Sequence, residues 1–356
     1  MNRSGWSNRA LVVLTLVLVT AASVSGAAKT FRVCKIGCDY SSIERAVKDS
    51  RPGDLIRVQN GNYTGNLRID KAITIVGTNS EWVRMIPTKG DLPTISIGPS
   101  SASVEIRNLT ITGGGKNQGK AISIRGDGKL TLTNCRVKDS EVGLQLENSS
   151  YAKLMRTQIS DSFSGILASD SSEVIMHSGG ITGHELGVVA SNSSEVTIIG
   201  TDISLCEKNP ILAKNTGIIN ILSSRISGNR GPGVKLTDFS RLNMQDTRVS
   251  NNEGGGILLS DSATANLTEN QITYNEKKNL TIISKECGFS GPIKGFFGEV
   301  KGRGNEITPG GSKSICPVKF SRIESEEEGG YSYPFKPPTY AFIGLIGAAT
   351  LLFFIT

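Results

Sequence analysis

The chain has 356 residues, 37% of them hydrophobic but only 6% aromatic, with 41 glycines and a formal net charge of +7. This composition suits a turn-dense all-β protein long enough to bury a core, and it excludes a coiled coil or a largely disordered chain. No Lys/Arg cluster with interleaved aromatics occurs, so nothing points to a nucleic-acid partner, while weak attraction to acidic polysaccharide or acidic lipid fits the mild charge.

Residues 1–27 read as a secretory signal peptide. Arg3 and Arg9 supply the charged start, ALVVLTLVLV the apolar run, and SVSGA the small residues for cleavage near Gly26–Ala27. Its removal lowers the net charge to +5. The alternative is an uncleaved N-terminal anchor.

Residues 28–50 are expected to form an N-terminal cap. In SSIERAVKDS, residues 41–50, Ile43, Ala46 and Val47 fall on one helical face, with Ser41 or Ser42 as the cap residue. Such a helix can cover the open end of a stack of strands, which would otherwise expose edges and apolar rows. Cys34 and Cys38 are close enough in sequence to clip this cap, and an exported chain permits disulfides.

Residues 51–284 carry a repeat. SDSSEVIM at 169–176 returns as SNSSEVTI at 191–198. Other columns keep the same step. Val137, Ile159, Ile181, Ile203, Ile226, Val249 and Ile272 are spaced by 22 and then 23 residues. Five residues before them stand Leu132, Leu154, Met176, Ile198, Ile221, Met244 and Leu267. Two residues earlier come Leu130, Ala152, Val174, Val196, Ile219, Leu242 and Ala265. Downstream, Gly143, Gly165, Gly187, Asn209, Gly233, Gly256 and Asn279 read as a turn column, followed by apolar pairs such as Leu144/Leu146.

Within each coil, apolar and polar residues alternate with period two, as in LTLTNCRV, so the elements are strands. Three short strands separated by brief turns leave no room for helical crossovers. The expectation is an all-β parallel β-helix of about ten coils, each pairing with the next about 4.8 Å along the axis.

The Asp-to-Asn change between the two copies falls in a turn column: Asn148, Asp170, Asn192, Asn215, Asp238 and Asp261. Both residue types tolerate left-handed backbone and bond their own turn. A calcium-binding acid row would need more carboxylates on adjacent coils. Asn229, Asn252 and Asn275 read as a second column of the same kind.

Residues 285–322 are expected to form a C-terminal cap, with Cys287 and Cys316 placed to clip its irregular Gly-rich segment. Cys135 and Cys206 sit three coils apart, roughly 14 Å along the axis and too far for a bridge. Cys135 reads as a buried small hydrophobe in an inward row. Residues 323–339 form an acidic, Pro-rich linker. Residues 340–356, YAFIGLIGAATLLFFIT, read as a transmembrane or lipid-anchor signal segment, with Gly329–Gly330 as the attachment region in the lipid-anchor case. The expected localisation is exported, at the cell surface or the periplasmic or extracellular face, membrane-anchored at the C-terminus. Asn62, Asn108, Asn148, Asn192, Asn266 and Asn279 each open an Asn-x-Ser/Thr triplet and permit glycosylation.

The N-terminal entry carries a family resemblance. Pro52–Asp54, Ile56–Val58, Gly61–Tyr63 and Lys71–Gly77 follow a short helix and lead into the ladder. This stretch resembles the start of right-handed parallel β-helix proteins of the pectin-lyase-like superfamily, and is most similar to the NosD-like group. The resemblance covers residues 39–284 and implies the right-handed hand. It leaves function open, because the fold hosts enzymes, binders and structural fibres.

The Glu of a pectin-esterase-like G-x-Y-x-E is replaced by Gly65, and no galacturonase-like Gly-His-Gly or epimerase-like Asp-Pro-His-Glu occurs. Asp139 and Asp161 stack on neighbouring coils beside Lys138 and are the catalytic candidates of a lyase-like site. His177, placed above Met155, and His184 are the metal candidates of a copper-handling accessory protein. Trp82, Tyr63 and Tyr151 are the aromatic residues expected to be exposed. No cofactor is expected. The leading expectation is a membrane-anchored surface rod with a binding or structural, adhesin-like role, whose partner is a polysaccharide or another cell-surface protein. The alternative is a polysaccharide lyase or epimerase acting on acidic glycans. Three carboxylates converging with an Arg or Lys in one groove would overturn this preference in favour of the enzyme.

Overall fold

The computed structural model describes residues 27–99, 103–290, 293, 295–325 and 329–332. The signal segment up to residue 26, the linker residues 326–328 and 333–339 and the apolar segment 340–356 lie outside them. No helix among the described residues is long and apolar enough to cross a membrane.

Among the described residues the chain winds through three sheets in turn; the first two strands, Thr30–Val33 and Leu55–Val58, pair with each other, and from the second onward each strand pairs with the one three places later. The first sheet has thirteen strands; the second and third have eleven each. The coils therefore number eleven, one more than the repeat suggests, because the early coils between residues 53 and 99 lack the regular spacing. All pairings are parallel except the last, between Glu299–Arg303 and Gly329–Ser332.

The register reproduces the sequence columns. Leu130 lies beside Ala152, Ala152 beside Val174, and Leu132, Leu154 and Met176 stack likewise. Val137, Ile159 and Ile181 stack in the second sheet. All are fully buried and belong to one continuous core. β-Branched side chains fill the second-sheet row because each needs only one rotamer to pack on its own copy in the next coil, while the first-sheet rows mix Leu, Ala, Val and Met.

Each of the three turns holds one left-handed residue. Asn148, Asp170, Asn192, Asn215, Asp238 and Asp261 all have φ between 56 and 62°, as their residue types predict. Two expectations change. The first members of the column beginning Gly143 lie in strands, not turns: Val142–Leu146 and Ser164–Ala168 include Gly143 and Gly165, while Gly233, Gly256 and Asn279 stand in bends just before their strands. A Cβ on Gly187 would strike the Pro210 carbonyl, so Pro210, and not Asn209, continues that column after a one-residue insertion. Nor is the column of Asn229, Asn252 and Asn275 left-handed. In its third coil that geometry belongs to the preceding Tyr274, as it does to Asn251 in the second, while the three amides point inward and are buried.

The helix Ile43–Asp49 is capped by Ser42 and buries Ile43, Ala46 and Val47 against the first strands of the first and third sheets. Cys34–Cys38 and Cys287–Cys316 are disulfides, with Cα atoms 5.5 and 5.7 Å apart. Cys135 and Cys206 are free and buried.

Candidate functional site

The interior of the second turn explains His184. Asn229 accepts from the Cys206 amide at 2.9 Å and donates to the Ile203 carbonyl at 3.3 Å. His184 repeats this pattern two coils earlier. Its Nδ1 lies 3.3 Å from the Ser162 amide and 3.0 Å from the Ser162 carbonyl, and its Nε2 lies 3.1 Å from the Ile159 carbonyl. A neutral ring protonated on Nε2 donates to the Ile159 carbonyl and accepts from the Ser162 amide at Nδ1. Burial, opposed by the backbone partners, lowers its pKa below the ordinary value. Both nitrogens are thus engaged by backbone, so His184 has none to offer a metal. His177 is exposed at the end of a first-sheet strand and holds the Ser178 hydroxyl at 2.7 Å. The two histidines do not form one site. Among the described residues no three His, Cys, Asp or Glu side chains gather closely enough to hold a metal ion.

Below His184 the ladder becomes all amide. Asn229 donates to Asn252 at 2.8 Å, Asn252 to Asn275 at 2.9 Å, and Asn275 to Asn279 at 2.7 Å. Asn279 is fully buried and donates to the Thr308 carbonyl, so it cannot be a glycosylation acceptor. Asn192 and Asn266 commit their amides to Asp170 and Asn243 along outer ladders. Asn108 donates to the Gly77 carbonyl. Asn62 and Asn148 are exposed. Tyr63, expected outside, is buried with its hydroxyl on the Gln59 carbonyl at 2.8 Å. Burial raises the Cys135 and Cys206 thiols to about 11, which keeps them protonated and unreactive near neutrality.

Asp139 and Asp161 do stack, both left-handed with φ 53°. The column then passes to Gly183, whose absent Cβ would lie 3.2 Å from Asp161 Oδ1. Two carboxylates end there. Lys138 pairs with Asp139 at 3.0 Å.

Asp161 has another set of neighbours, on the outer face of the second sheet. There Arg84, Thr110, Arg136, Gln158, Gly180, Asp202, Arg225, Arg248, Gln271 and Glu306 follow one another coil by coil. Two grooves open along this row. The first, about 530 Å³, is lined by Glu81, Trp82, Arg84, Arg136, Lys138 and Asp161, among others. The turn before the strand Val83–Ile86 carries Glu81 and Trp82 over it; Glu81 pairs with Arg136 at 2.8 Å. Trp82 is 61% exposed, a large apolar ring held beside three cations. Such a pairing of flat ring and cations suits a sugar ring bearing a carboxylate.

The second groove, about 400 Å³, is lined by Asp202, Arg225, Asp246, Arg248 and Glu269, with Ser223 and Gln271. Three carboxylates and two guanidiniums share it. Asp246 accepts from the Ser223 hydroxyl at 2.8 Å. Sequence reasoning missed this groove, yet Asp202, Arg225 and Arg248 stand one residue before Ile203, Ile226 and Val249, at the same period.

A profile of the right-handed β-helix region matches residues 93–183 and again 181–290, together more than half of the chain. The chain belongs to the right-handed β-helix family. This β-helix superposes on ORF18 of Geobacillus virus E2 with a TM-score of 0.56 and 13% identity, over 73% of its own length and 55% of the viral chain. It superposes on the Dettilon tailspike protein with 0.55 and 11%, over 74% and 57%. On the A-module of the Azotobacter vinelandii mannuronan C-5 epimerase the values are 0.53 and 13%, over 76% and 92%. The chain thus spans little more than half of ORF18 and of the Dettilon protein. Identities this low show the fold alone. No curated protein sequence matches the chain significantly.

Proposed function

We propose that this β-helix is an exported rod, held at a membrane by residues 340–356, that binds an acidic polysaccharide along the outer face of its second sheet. The observation that carries the reading is the first groove, where exposed Trp82 stands beside Arg84, Arg136 and Lys138. The ring gives a stacking platform and the cations pair with uronate or sulfate groups. Repeated weak contacts along a rod add up when one chain reaches several of them.

The test is titration of the full chain with polygalacturonate and alginate, followed by the fluorescence that a Trp82→Phe variant lacks. Quenching by acidic but not neutral polysaccharide, weakened by salt, supports the reading. Unchanged fluorescence across the acidic series contradicts it.

Three carboxylates and two arginines line the second groove, but none of those carboxylates lies within 4.0 Å of either arginine, so they share a groove without converging on one point, and cleavage or epimerisation of the same kind of chain is the second reading. Unsaturated products or new reducing ends, with or without added calcium, would establish turnover. Loss of that turnover in Asp246→Asn and Glu269→Gln would place it in this groove.

A further inference from the structure

Arg225 and Arg248 are directly opposite each other on adjacent parallel strands. Like charges in that relation repel and destabilise a sheet. Some guanidiniums on the molecule pair with carboxylates: Arg125 takes Glu147, Arg136 takes Glu81, and Arg230 takes Glu207. Among the described residues none lies within 4.0 Å of the Arg225 or Arg248 side chains, although three carboxylates line the same groove. Arg248 Nε is buried with no hydrogen-bond partner. A buried guanidinium nitrogen left unpaired costs free energy unless something enters to accept from it.

We infer that Arg225 and Arg248 form a clamp for one anionic group of an acidic glycan, a second anchor for the chain whose first anchor is the Trp82 groove. The inference rests on the reading of the second-sheet face as a glycan-binding face. A carboxylate or sulfate seated between the two guanidiniums accepts from both and cancels their repulsion. Asp202, Asp246 and Glu269 around it are acceptors for sugar hydroxyls. From Arg136 to Arg225 is four coils, roughly 19 Å along the axis at the strand spacing. The floor between them does not block a chain: Gly180 has no side chain, and the Gln158 carboxamide lies over the space a Cβ there would take. One polyanionic chain running parallel to the rod axis reaches both anchors. A short one reaches a single anchor.

The test uses the full chain, trigalacturonate, and an oligogalacturonate long enough to cover both grooves. The Arg225→Gln/Arg248→Gln double variant is expected to bind the long oligomer at least about tenfold more weakly, since charge-assisted contacts are lost. Its Trp82 fluorescence should respond to trigalacturonate as the parent's does. Without ligand, its melting temperature should equal or exceed the parent's, because the repulsion is gone; a lower value would mean that the pair stabilises the fold and would overturn the clamp. Unchanged affinity for the long oligomer would also overturn the clamp. In that case a loss of affinity in Trp82→Ala would leave the glycan-binding reading standing. If the parent binds neither oligomer, the glycan reading itself falls and the clamp with it.

Discussion

Two rows of the second sheet, one residue apart in sequence, follow opposite rules. The inward row, Val137, Ile159, Ile181, Ile203, Ile226, Val249 and Ile272, never departs from β-branched residues. The outward row, Arg136, Gln158, Gly180, Asp202, Arg225, Arg248 and Gln271, changes type from coil to coil. Strands, spacing and backbone geometry are shared. The difference lies in what each side chain meets. An inward residue meets its own counterpart above and below, so the same volume must recur. An outward residue borders water, so no fixed volume need recur there. Its identity is then free to follow a ligand, and charged residues crowd at two places on that row.

The largest test of this contrast is inside. Met176 is fully buried between Leu154 and Ile198. Met176→Asp places a carboxylate there without a partner and should cost several kcal/mol, on the order of the whole margin of a marginal fold. Urea unfolding measures it. An outward substitution such as Arg136→Gln should change stability by less than about 0.5 kcal/mol, since exposed ion pairs contribute little.

Next in size is Asn252→Ala. Asn252 donates to Asn275 and the Ile226 carbonyl and accepts from Asn229. Its removal leaves several buried polar groups without partners and should cost about 2–4 kcal/mol. A loss under about 1 kcal/mol would mean that the ladder is replaceable by water.

His184→Asn sharpens the same point with a smaller effect. Asn meets the two backbone partners that the imidazole meets, so at pH 7 stability should stay within about 1 kcal/mol of the parent. The pH dependence should differ more. The ring's pKa is lowered in the fold from 6.5. As pH falls below that value the unfolded chain takes up a proton that the folded ring refuses, and stability falls. The Asn variant should show a shallower decline between pH 6.5 and 5. Parallel curves would contradict the neutral buried ring.

Asp170→Asn is the smallest. Asp170 Oδ2 accepts from the Asn148 amide and Oδ1 from the Asn192 carboxamide, each at 3.1 Å. An Asn has one acceptor oxygen, so one exposed hydrogen bond is lost. The expected cost is about 0.5–1 kcal/mol, more than the near-silence that Asn192 next door would suggest. Differential thermal melting of the pair resolves it.

Much of the fold was legible because stacking makes each row repeat its chemistry. The inward columns, the Asn/Asp turn column and the helix over Ile43–Asp49 could be read from spacing alone. The amide ladder was legible as a column but not as an interior one, since spacing does not say that the left-handed residue precedes Asn252. His184 was visible as a departure from that column, but only its two backbone partners reveal an imidazole doing the work of an amide. The grooves were harder. Glu81 and Trp82 belong to an irregular early coil, and no period links them to Arg136 and Lys138, which lie more than fifty residues later. Asp139 and Asp161 were visible as a stack; that Asp161 shares its groove with Trp82 was not.

The most direct test of the central claim is equilibrium binding of the full chain to polygalacturonate, with a neutral polysaccharide as control and at low and high salt. The account predicts binding of the acidic chain alone, weakening as salt rises, and lost when Trp82, Arg84 and Arg136 are replaced together. Equal affinity for the neutral chain, or binding untouched by that triple replacement, would contradict it and move the ligand off the second-sheet face.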